Sequence, residues 1–546
     1  MLNKELTKLY QNGDYDKCAR VCFENLYKKL DDALCWYILG MSLRNLNRGK
    51  EAILAFKTAL SIDGKLIEPL IPLAEALLIE EKIDEAKHWI EKYILHDQNN
   101  INARYIFTEC LRKGNKPFEA IESLRESIHM TELNNLTDVR LCRSFSLVVE
   151  AIEKENRQKT GKDRDSALYI EELGFHHADG LNFEIKGYLE TLVASAPHLS
   201  DAHVLLGECC SSEGQFELAE KHFNQAYQLD RRQDRAHVMR FSDSYFDTLE
   251  KISVDDMASE LPRVYCEDDN FYADQPVVFI SCDYSYFSAF ATALVNSIRH
   301  NSSGINLHIH LMSPNVELRK VRNHVNSIKG LIDAIDDLKV NFSYEVVNPS
   351  LTKKDFLRCY YLTARFFRLY QCMLRYEVPI MILDVDGLVL KHLNHVFEYV
   401  KRDDIGFRMR PGRFSPWNQV SAGVVVINPT EIGIKYLELV AKYVGKFALE
   451  EKSSWMLDQM SLFSTLKFFQ RNHRIDVKLL DTSIFGGQDA DPVIFWTSGH
   501  KKFIQAKQAH EGWPEGEQVD TYTRLFHKYK NLYDSLQGSL VFSIHH

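Results

Sequence analysis

The segment Trp36-Tyr-Ile-Leu39-Gly40-Met-Ser-Leu43, continued by Ala52 and Phe56, begins a pattern that returns every 34 residues. Four columns share this register: Leu43, Leu77 and Leu111; Ala52, Ala86 and Ala120; Phe56, Ile90 and Leu124; and Leu60, Ile94 and Ile128. Several apolar columns in one register indicate a repeated structural unit with about one helical hairpin per repeat. Small alanines let the paired helices approach closely, and the larger residues fill the space between successive pairs.

The same segment resembles the tetratricopeptide signature, with Leu43 in place of its usual tyrosine. A further copy carries Leu206, Gly207, Ala219, Phe223 and Ala226, and a partial copy opens the chain around Ala19 and Phe23. Residues 134–200 have room for two more hairpins, whose register stays open. The resemblance implies a tetratricopeptide-like α-solenoid over residues 1–245, with a generic helical array as the alternative.

The composition describes an ordinary globular protein of two or three domains, because 45% of the 546 residues are hydrophobic and 26% are charged. A net charge of −10 argues against nucleic acid as a partner. No apolar run approaches the roughly 20 residues of a membrane span, and the N-terminus does not resemble a signal peptide. Eleven cysteines without a CxxC pair favour free thiols and a cytoplasmic location. A homo-oligomer is left open.

The pattern changes near residue 245, where an acidic connector over residues 246–274 begins. From residue 275 to 546, β-rich runs alternate with helical stretches. The pattern predicts strands at 276–280, 307–312, 342–347 and 380–383, and helices at 290–298 and 362–375. Such alternation predicts an α/β sheet of mostly parallel strands, whose ligands bind at the carboxyl ends of the strands.

The strongest chemical signal is Ile380-Met-Ile-Leu-Asp384-Val-Asp386-Gly387, where two carboxylates follow a buried strand. Hard divalent cations prefer oxygen ligands, and a cation would offset the repulsion between the two acids. Three interpretations stay open at this point. The string is a strand-to-turn junction, the metal motif of an A-type glycosyltransferase, or the nucleophile motif of a haloacid-dehalogenase-like phosphatase.

The surrounding motifs favour the transferase. They are, in order, Phe279-Ile-Ser-Cys-Asp283-Tyr-Ser-Tyr286, a helix with Arg365 and Arg368, the Asp384 motif, Ser421-Ala-Gly423, and Asp458-Gln459. This order resembles the glycosyltransferase family that includes glycogenin and bacterial lipopolysaccharide galactosyltransferases, over residues 276–505. The resemblance implies a Rossmann-like A-type fold, a nucleotide-sugar donor with UDP favoured, hexosyl transfer, and Mn²⁺ or Mg²⁺ as cofactor.

The resemblance also implies roles for single residues. Asp384 and Asp386 hold the metal; Asp283, Tyr286, Arg365, Arg368, Asp384, Gly423, Lys501 and Lys502 bind the donor; Asp458 and Gln459 are catalytic. Several of these residues have structural alternatives. Asp283 and Asp458 are also suited to helix capping, one of the two arginines to a simple ion pair, and Gly423 to a tightly packed strand. Asp458 itself would orient the acceptor, act as a base or stabilise positive charge at the anomeric carbon.

The late metal motif of the family departs from its pattern here. The family has His-x-x-Gly-x-x-Lys, whereas this chain reads Trp496-Thr-Ser-Gly499-His500-Lys501-Lys502. Trp496 stands at the histidine position, and His500 is the candidate replacement ligand. The resemblance implies retention of configuration, and the altered motif leaves inversion open. Trp496 also supports a second functional class, a repeat scaffold with an inactive transferase-like domain.

The repeats suggest a partner. Helical arrays offer extended concave surfaces to peptides and proteins. The sequence therefore raises the hypothesis that residues 1–245 recruit a protein acceptor for glycosylation, with a structural or dimerising array as the alternative.

Overall fold

A computed structural model describes residues 2–116, 196–266, 271–314, 338–347, 354–410, 415–450, 454–487, 491–496 and 521–532, with parts of 119–126 and 186–194. Residue contacts divide the chain into two compact units. The first comprises residues 1–162 and 180–205, and the second comprises 163–179 and 206–546. The domain limits at 245 and 275 follow the change in sequence pattern and stay a prediction.

The first unit is helical wherever the structure describes it. Its helices are α1 (Leu2–Gln11), α2 (Tyr15–Lys28), α3 (Ala33–Asn45), α4 (Gly49–Ile62), α5 (Leu70–Ile79), α6 (Ile83–His96) and α7 (Ile101–Lys113). Helix α8 (Ser200–Ser212) begins in the first unit and ends in the second.

The turns within the helical hairpins repeat with the same period as the apolar columns. Gly13, Asn47, Glu81 and Asn115 all have positive φ, between 58° and 80°. After each of the last three, a backbone amide donates to a carbonyl five residues earlier, as from Lys82 to Leu77 at 2.9 Å. This left-handed residue with its closing hydrogen bond is a common way to end a helix. The repeat is therefore present in the backbone as well as in the side-chain pattern.

The predicted columns form the core of the first unit. Ala52, Ala86 and Ala120 are fully buried, as are Phe56, Ile90 and Leu77. Leu124 and Ile128 lie outside the described residues. A Cβ on Gly40 would lie 2.6 Å from the Phe56 ring, and one on Gly207 would lie 2.8 Å from the Phe223 ring. Glycine is required there because the two helices of a hairpin meet at the aromatic ring.

The partial repeat at the start of the chain lies one residue earlier than its predicted position. Cys18 and Cys22, not Ala19 and Phe23, occupy the positions of Ala52 and Phe56, and both cysteines are fully buried. Phe23 is 47% exposed. The error arose because alanine and phenylalanine match the signature by type, whereas the period of 34 places the thiols in the core.

The second unit combines helices with strands. Its helices are α9 (Phe216–Leu229), α10 (Asp234–Val238), α11 (Asp243–Glu250), α12 (Val254–Glu260), α13 (Tyr284–Asn301), α14 (Lys354–Tyr376), α15 (Asn394–Val400), α16 (Pro416–Gln419), α17 (Glu431–Leu449), α18 (Leu457–Asn472) and α19 (Thr521–Lys530). Among the described helices, none combines the length and apolar character that crossing a bilayer requires.

The strands of the second unit agree with the predicted ones and extend them. They are β1 (Val264–Cys266), β2 (Val277–Asp283), β3 (Ile305–Pro314), β4 (Leu338–Val347), β5 (Ile380–Leu383), β6 (Leu388–Val389), β7 (Ile405–Met409), β8 (Val420–Ile427), β9 (Val477–Leu479), β10 (Phe485–Gly486) and β11 (Ile494–Phe495). The predicted helices at 290–298 and 362–375 lie within α13 and α14.

The main sheet is mixed, with the order β1-β4-β3-β2-β5-β8-β7-β9. Strands β4, β3, β2 and β5 are parallel, whereas β8 runs antiparallel to both β5 and β7, and β1 runs antiparallel to β4. A smaller sheet has the order β10-β11-β6. The predicted parallel core is therefore present, and antiparallel pairs extend it on both sides.

The central strands are buried along their length, as expected for a sheet covered by helices. Helix α14 packs against β2 and β3, while α13 contacts the same two strands together with α19. Fully buried aromatic side chains, among them Phe279, Phe290, Phe342 and Phe367, pack in this core.

The hairpin after Leu206 and the segment that follows it to Asp243 pack against the helices of the mixed sheet. The Tyr443 hydroxyl donates to the Val238 carbonyl at 2.5 Å, and Arg471 pairs with Asp243 at 2.8 Å. The Phe223 ring meets Trp417 edge-on, with 6.1 Å between centroids. One face of this hairpin thus belongs to the core of the second unit.

Candidate functional site

Three predicted carboxylates gather at the carboxyl edge of the sheet. Strand β2 ends at Asp283, and its parallel neighbour β5 ends just before Asp384. Burial raises the pKa of the Cys282 thiol well above its usual value, and the charges of Asp283, Asp386 and Asp384 raise it further. All three carboxylates therefore lie close enough to Cys282 to act on its thiol, as expected at the carboxyl ends of neighbouring parallel strands.

Arg365 joins two of the predicted motifs. Its Nη1 lies 2.5 Å from Asp384 Oδ1, and its Nη2 lies 2.7 Å from Asp458 Oδ2. The arginine is 5% exposed and Asp458 is 4% exposed. Burial alone would lower the pKa of the guanidinium, but the two carboxylates outweigh burial and raise it. Arg365 is consequently a fixed cation that sets the positions of both acids.

Gly423 allows the Asp384 carboxylate to lie close against the backbone of β8. The Asp384 amide donates to the Gly423 carbonyl at 2.9 Å, which ties the end of β5 to β8. A Cβ on Gly423 would lie 2.8 Å from Asp384 Oδ2 and 3.5 Å from Cζ of Phe485. A side chain at this position would displace the carboxylate, so glycine is required by close packing, as in the packed-strand alternative for Gly423.

Asp458 and Gln459 lie in the first turn of α18, and each has a defined partner. The Gln459 amide donates to Asp458 Oδ1 at 2.8 Å. The side-chain amide of Gln459 is oriented with its nitrogen towards two backbone carbonyls. It donates to Trp417 at 3.2 Å and to Val420 at 2.6 Å. Gln459 thereby holds the turn that precedes β8 and Gly423.

Arg368 lies one turn further along α14 and has a different partner. Its guanidinium pairs with Glu345 of β4 and donates to the Pro262 carbonyl at 2.8 Å. Burial alone would raise the pKa of Glu345, but Arg368 and His310 outweigh it and lower that pKa. The structure thus brings Arg365, but not Arg368, into contact with Asp384 and Asp458.

A buried polar chain continues from Glu345 across the sheet. His310 lies 3.8 Å from Glu345 Oε1, and its Nδ1 shares the Ser343 hydroxyl with His308 Nε2, at 2.8 and 2.7 Å. His308 Nδ1 lies 2.7 Å from the Tyr376 hydroxyl. These groups anchor both halves of α14 to the sheet and so help to fix Arg365.

Protonation of this chain is expected to destabilise the fold below neutral pH. Burial lowers the pKa of His308 from 6.5 to about 3, with His310 and Arg375 adding to the shift. The unfolded chain binds this proton near pH 6.5, so the stabilisation from neutral His308 is complete above that pH and is lost as pH falls towards 3. We expect His308 to contribute a loss of about 1.4 kcal/mol per pH unit in the free energy of unfolding.

Urea unfolding of the second unit between pH 6.5 and 5.0 measures this slope. His308→Gln should reduce it, whereas His395→Gln, at an exposed position, should leave it unchanged. Equal slopes for wild type and His308→Gln would contradict the prediction.

The other predicted residues are Asp283, Tyr286, Lys501 and Lys502 for the donor and His500 for the metal. Asp283 Oδ1 accepts the Tyr286 amide at 3.1 Å, so this carboxylate caps α13. Tyr286 is partly buried and packs on Phe290. His500, Lys501 and Lys502 lie outside the described residues, and their roles stay predictions.

The pair Asp384 and Asp386 has the donor chemistry of a Mg²⁺ or Mn²⁺ site. Within the described residues, no group of three or more His, Cys, Asp or Glu side chains is arranged around a common point. Ions of this kind are often held by one or two carboxylates, with water and substrate phosphates completing the shell. Two carboxylates therefore fit a cation that is bound together with a phosphorylated ligand.

Comparison with known proteins identifies the first part of the chain. The tetratricopeptide repeat model matches residues 33–66 and 200–233. The chain contains tetratricopeptide repeats. None of the curated proteins compared with it matches.

Solved structures with similar regions include YrrB, described as a TPR protein with an unusual peptide-binding site, at 16% identity and a TM-score of 0.28 over 39% of this chain and 94% of that one. PilF of Pseudomonas aeruginosa is 11% identical with a TM-score of 0.32, over 42% and 90% of the two chains. A tetratricopeptide protein of Parabacteroides merdae is 16% identical with a TM-score of 0.25, over 43% and 95%.

Sequence reasoning missed several residues at or near this edge, among them Glu345, His308, His310, Trp417, Arg408 and Phe485. A signal for the first three was present, because polar residues alternate in buried strands at 308 and 310 and at 341, 343 and 345. Such alternation places polar groups on one face of a strand. Arg408 and Phe485 carry no comparable local signal.

Proposed function

We propose that the mixed-sheet domain is a glycosyltransferase that moves a hexose from a nucleotide sugar, with UDP favoured, to an acceptor. The observation that carries the proposal is the contact among Arg365, Asp384, Gly423 and Asp458. These residues come from four motifs whose order resembles the glycogenin and lipopolysaccharide galactosyltransferase family. A strand-to-turn junction alone would not require a buried arginine to join Asp384 with Asp458.

In the proposed reaction, the bond between the anomeric carbon and the diphosphate breaks, and its electron pair leaves on the diphosphate. The acceptor oxygen forms the new bond to that carbon and releases its proton. Gly423 lets the Asp384 carboxylate lie close against β8. Arg365 holds Asp458 and Asp384 in place, Asp458 to stabilise the positive charge that develops at the anomeric carbon and Asp384 to bind the cation.

Asp384 and Asp386 are the residues that would hold Mn²⁺ or Mg²⁺. The ion would supply positive charge to the departing diphosphate. The chain itself fixes the two ligands through the Gly423 carbonyl and through Tyr522, whose hydroxyl donates to the Asp386 carbonyl at 2.6 Å. Backbone anchoring on both sides keeps the carboxylates in place before any ligand binds.

The phosphatase alternative is not favoured for two reasons. Its nucleophile would normally begin the catalytic domain, whereas β2, β3 and β4 precede Asp384 in the same sheet. The Asp384 Oδ1 atom, which a nucleophile would need free, is also paired with Arg365. The principal alternative is a repeat scaffold with an inactive transferase-like domain, which predicts that no nucleotide stabilises the protein.

Thermal-shift measurements with UDP, GDP, ADP and their sugars, with and without Mn²⁺, test the proposal. We expect at least one diphosphate to raise the melting temperature by a few degrees in the presence of Mn²⁺. Asp386→Ala should abolish the response, and Asp491→Ala, at a side chain that is 88% exposed, should keep it. Stabilisation by no nucleotide under any condition would favour the scaffold, and phosphate release from phosphomonoesters would favour the phosphatase.

We further propose that the repeats bind a protein or peptide acceptor. Tetratricopeptide repeats suggest protein–protein interaction, and Tyr27 and Leu30 near the end of α2 are 92% and 69% exposed. A chain that begins at residue 200 should keep the nucleotide response and lose transfer to the protein acceptor. Transfer that is equal without the repeats would contradict recruitment.

A further inference from the structure

Arg408 lies at the same edge of the sheet as Asp384. Strands β5 and β7 both run antiparallel to β8, so they end on the same side. Arg408 stands near the end of β7, where the register with β8 shifts between Phe407 and Arg408. A bulge of this kind re-aims the side chain that follows it and is frequent beside binding sites.

The contacts of Arg408 connect it through Phe485 to Gly423 and Asp384. Its Nη1 donates to the Phe485 carbonyl at 2.8 Å, and its Cζ lies 5.7 Å from the centre of the Phe485 ring. Cζ of the same ring lies 3.5 Å from the position that a Cβ on Gly423 would take, and Asp384 Oδ2 lies 2.8 Å from that position. Phe485 thus lies between Arg408 and Gly423, and it places Arg408 on the side of this ring that is away from Asp384.

Arg408 differs from the two predicted arginines in its charge balance. Carboxylates pair with Arg365 and Arg368, whereas no carboxylate pairs with Arg408 in the part of the chain that the structure describes. Burial lowers the pKa of Arg408, and Asp481 opposes that effect only in part. Burying a charge is costly unless a partner compensates it.

We propose that Arg408 binds the carboxylate of an acidic sugar, so that the substrate of this site is of the uronic-acid type. The inference rests on the proposed transferase function. It goes beyond that function because it names the substrate class and a residue that recognises it.

The position of Arg408 argues against the donor diphosphate as its ligand. Strands β5 and β7 are separated by β8, so their ends lie roughly 10 Å apart, two strand spacings. A diphosphate held at Asp384 and Asp386 therefore leaves Arg408 facing the sugar or the acceptor. A carboxylate suits a guanidinium there, because the two groups form short, charge-assisted hydrogen bonds.

Calorimetric binding with paired ligands tests this inference on the full chain with Mn²⁺ present. The donor arm compares UDP-glucose with UDP-glucuronic acid and GDP-mannose with GDP-mannuronic acid. The acceptor arm compares galactose with galacturonic acid in the presence of UDP or GDP. We expect the acidic member to bind about 10- to 100-fold more tightly in one of the arms, which also identifies whether the acidic sugar is donor or acceptor.

Arg408→Gln should remove the preference for the acidic sugar and leave the affinity for UDP or GDP within about twofold. The matched control is Arg474→Gln, which removes the same charge from a side chain that is 90% exposed and should keep the preference. Absence of a preference in both arms, or a preference that survives in Arg408→Gln, would overturn the inference while the diphosphate still binds. If neither UDP nor GDP binds the wild type, the proposed function fails, and the inference fails with it.

Discussion

Arg365→Gln should abolish sugar transfer and lower the free energy of unfolding of the second unit by about 3–5 kcal/mol. The substitution removes the one guanidinium that contacts both Asp384 and Asp458, and Asp458 is then buried without it. Two carboxylates that lose their shared cation repel each other and move apart. Chemical denaturation measures the loss of stability, and donor turnover measures the loss of function.

Arg368→Gln is the matched control, because it lies one turn away on the same helix and also loses a buried ion pair. We expect a similar loss of stability, with more donor turnover than in Arg365→Gln at a temperature where both variants are folded. Full turnover in folded Arg365→Gln would refute a role for this contact in the reaction.

Gly423→Ala should reduce turnover by about 10²-fold, the size of effect that an ångström-scale displacement of a reacting group produces. The new methyl group would lie 2.8 Å from Asp384 Oδ2 and would press the carboxylate away from its place. Overpacking costs about 1–3 kcal/mol of stability, so the domain should remain folded. Steady-state kinetics and donor affinity measure the effect.

Gly406→Ala offers a control of the same kind in the same sheet. Its methyl group would lie 2.7 Å from the Val400 side chain, in the apolar core and away from Asp384. This variant should lose stability and keep its turnover when measured well below its melting temperature. If Gly406→Ala and Gly423→Ala lose turnover equally, overpacking of the sheet, and not displacement of Asp384, is the cause.

Much of the architecture could be predicted because it depends on local periodicity. A period of 34 identified the hairpins, since each repeat must bury the same face against its neighbour. Runs of buried residues identified β2, β3, β4 and β5, and helical spacing identified α14. The register of the first hairpin failed because Cys18 and Cys22, although typical buried thiols, do not match the alanine and the large apolar residue of the signature, whereas the adjacent Ala19 and Phe23 do.

The partners of the charged residues could not be predicted in the same way. Arg365 and Arg368 share a helical face, yet the first contacts Asp458, 93 residues away, and the second contacts Glu345. Arg408 gave no local signal because its position depends on a register shift between two strands. Such facts depend on strand order and helix placement, which nearby residues do not encode.

The sequence by itself determined the repeats, the four strands β2 to β5 of the mixed sheet, and the presence of two acids at the end of β5, because each follows from which residues must be buried along one helix or strand. Only the tertiary structure decided which arginine joins Asp384 to Asp458, which one belongs to the core of the sheet, and which one has no carboxylate partner among the described residues. The reason is physical. Buried positions repeat along a helix or strand with a period that a short segment of sequence reveals, whereas the partner of a charged side chain is set by the residues that the fold brings beside it.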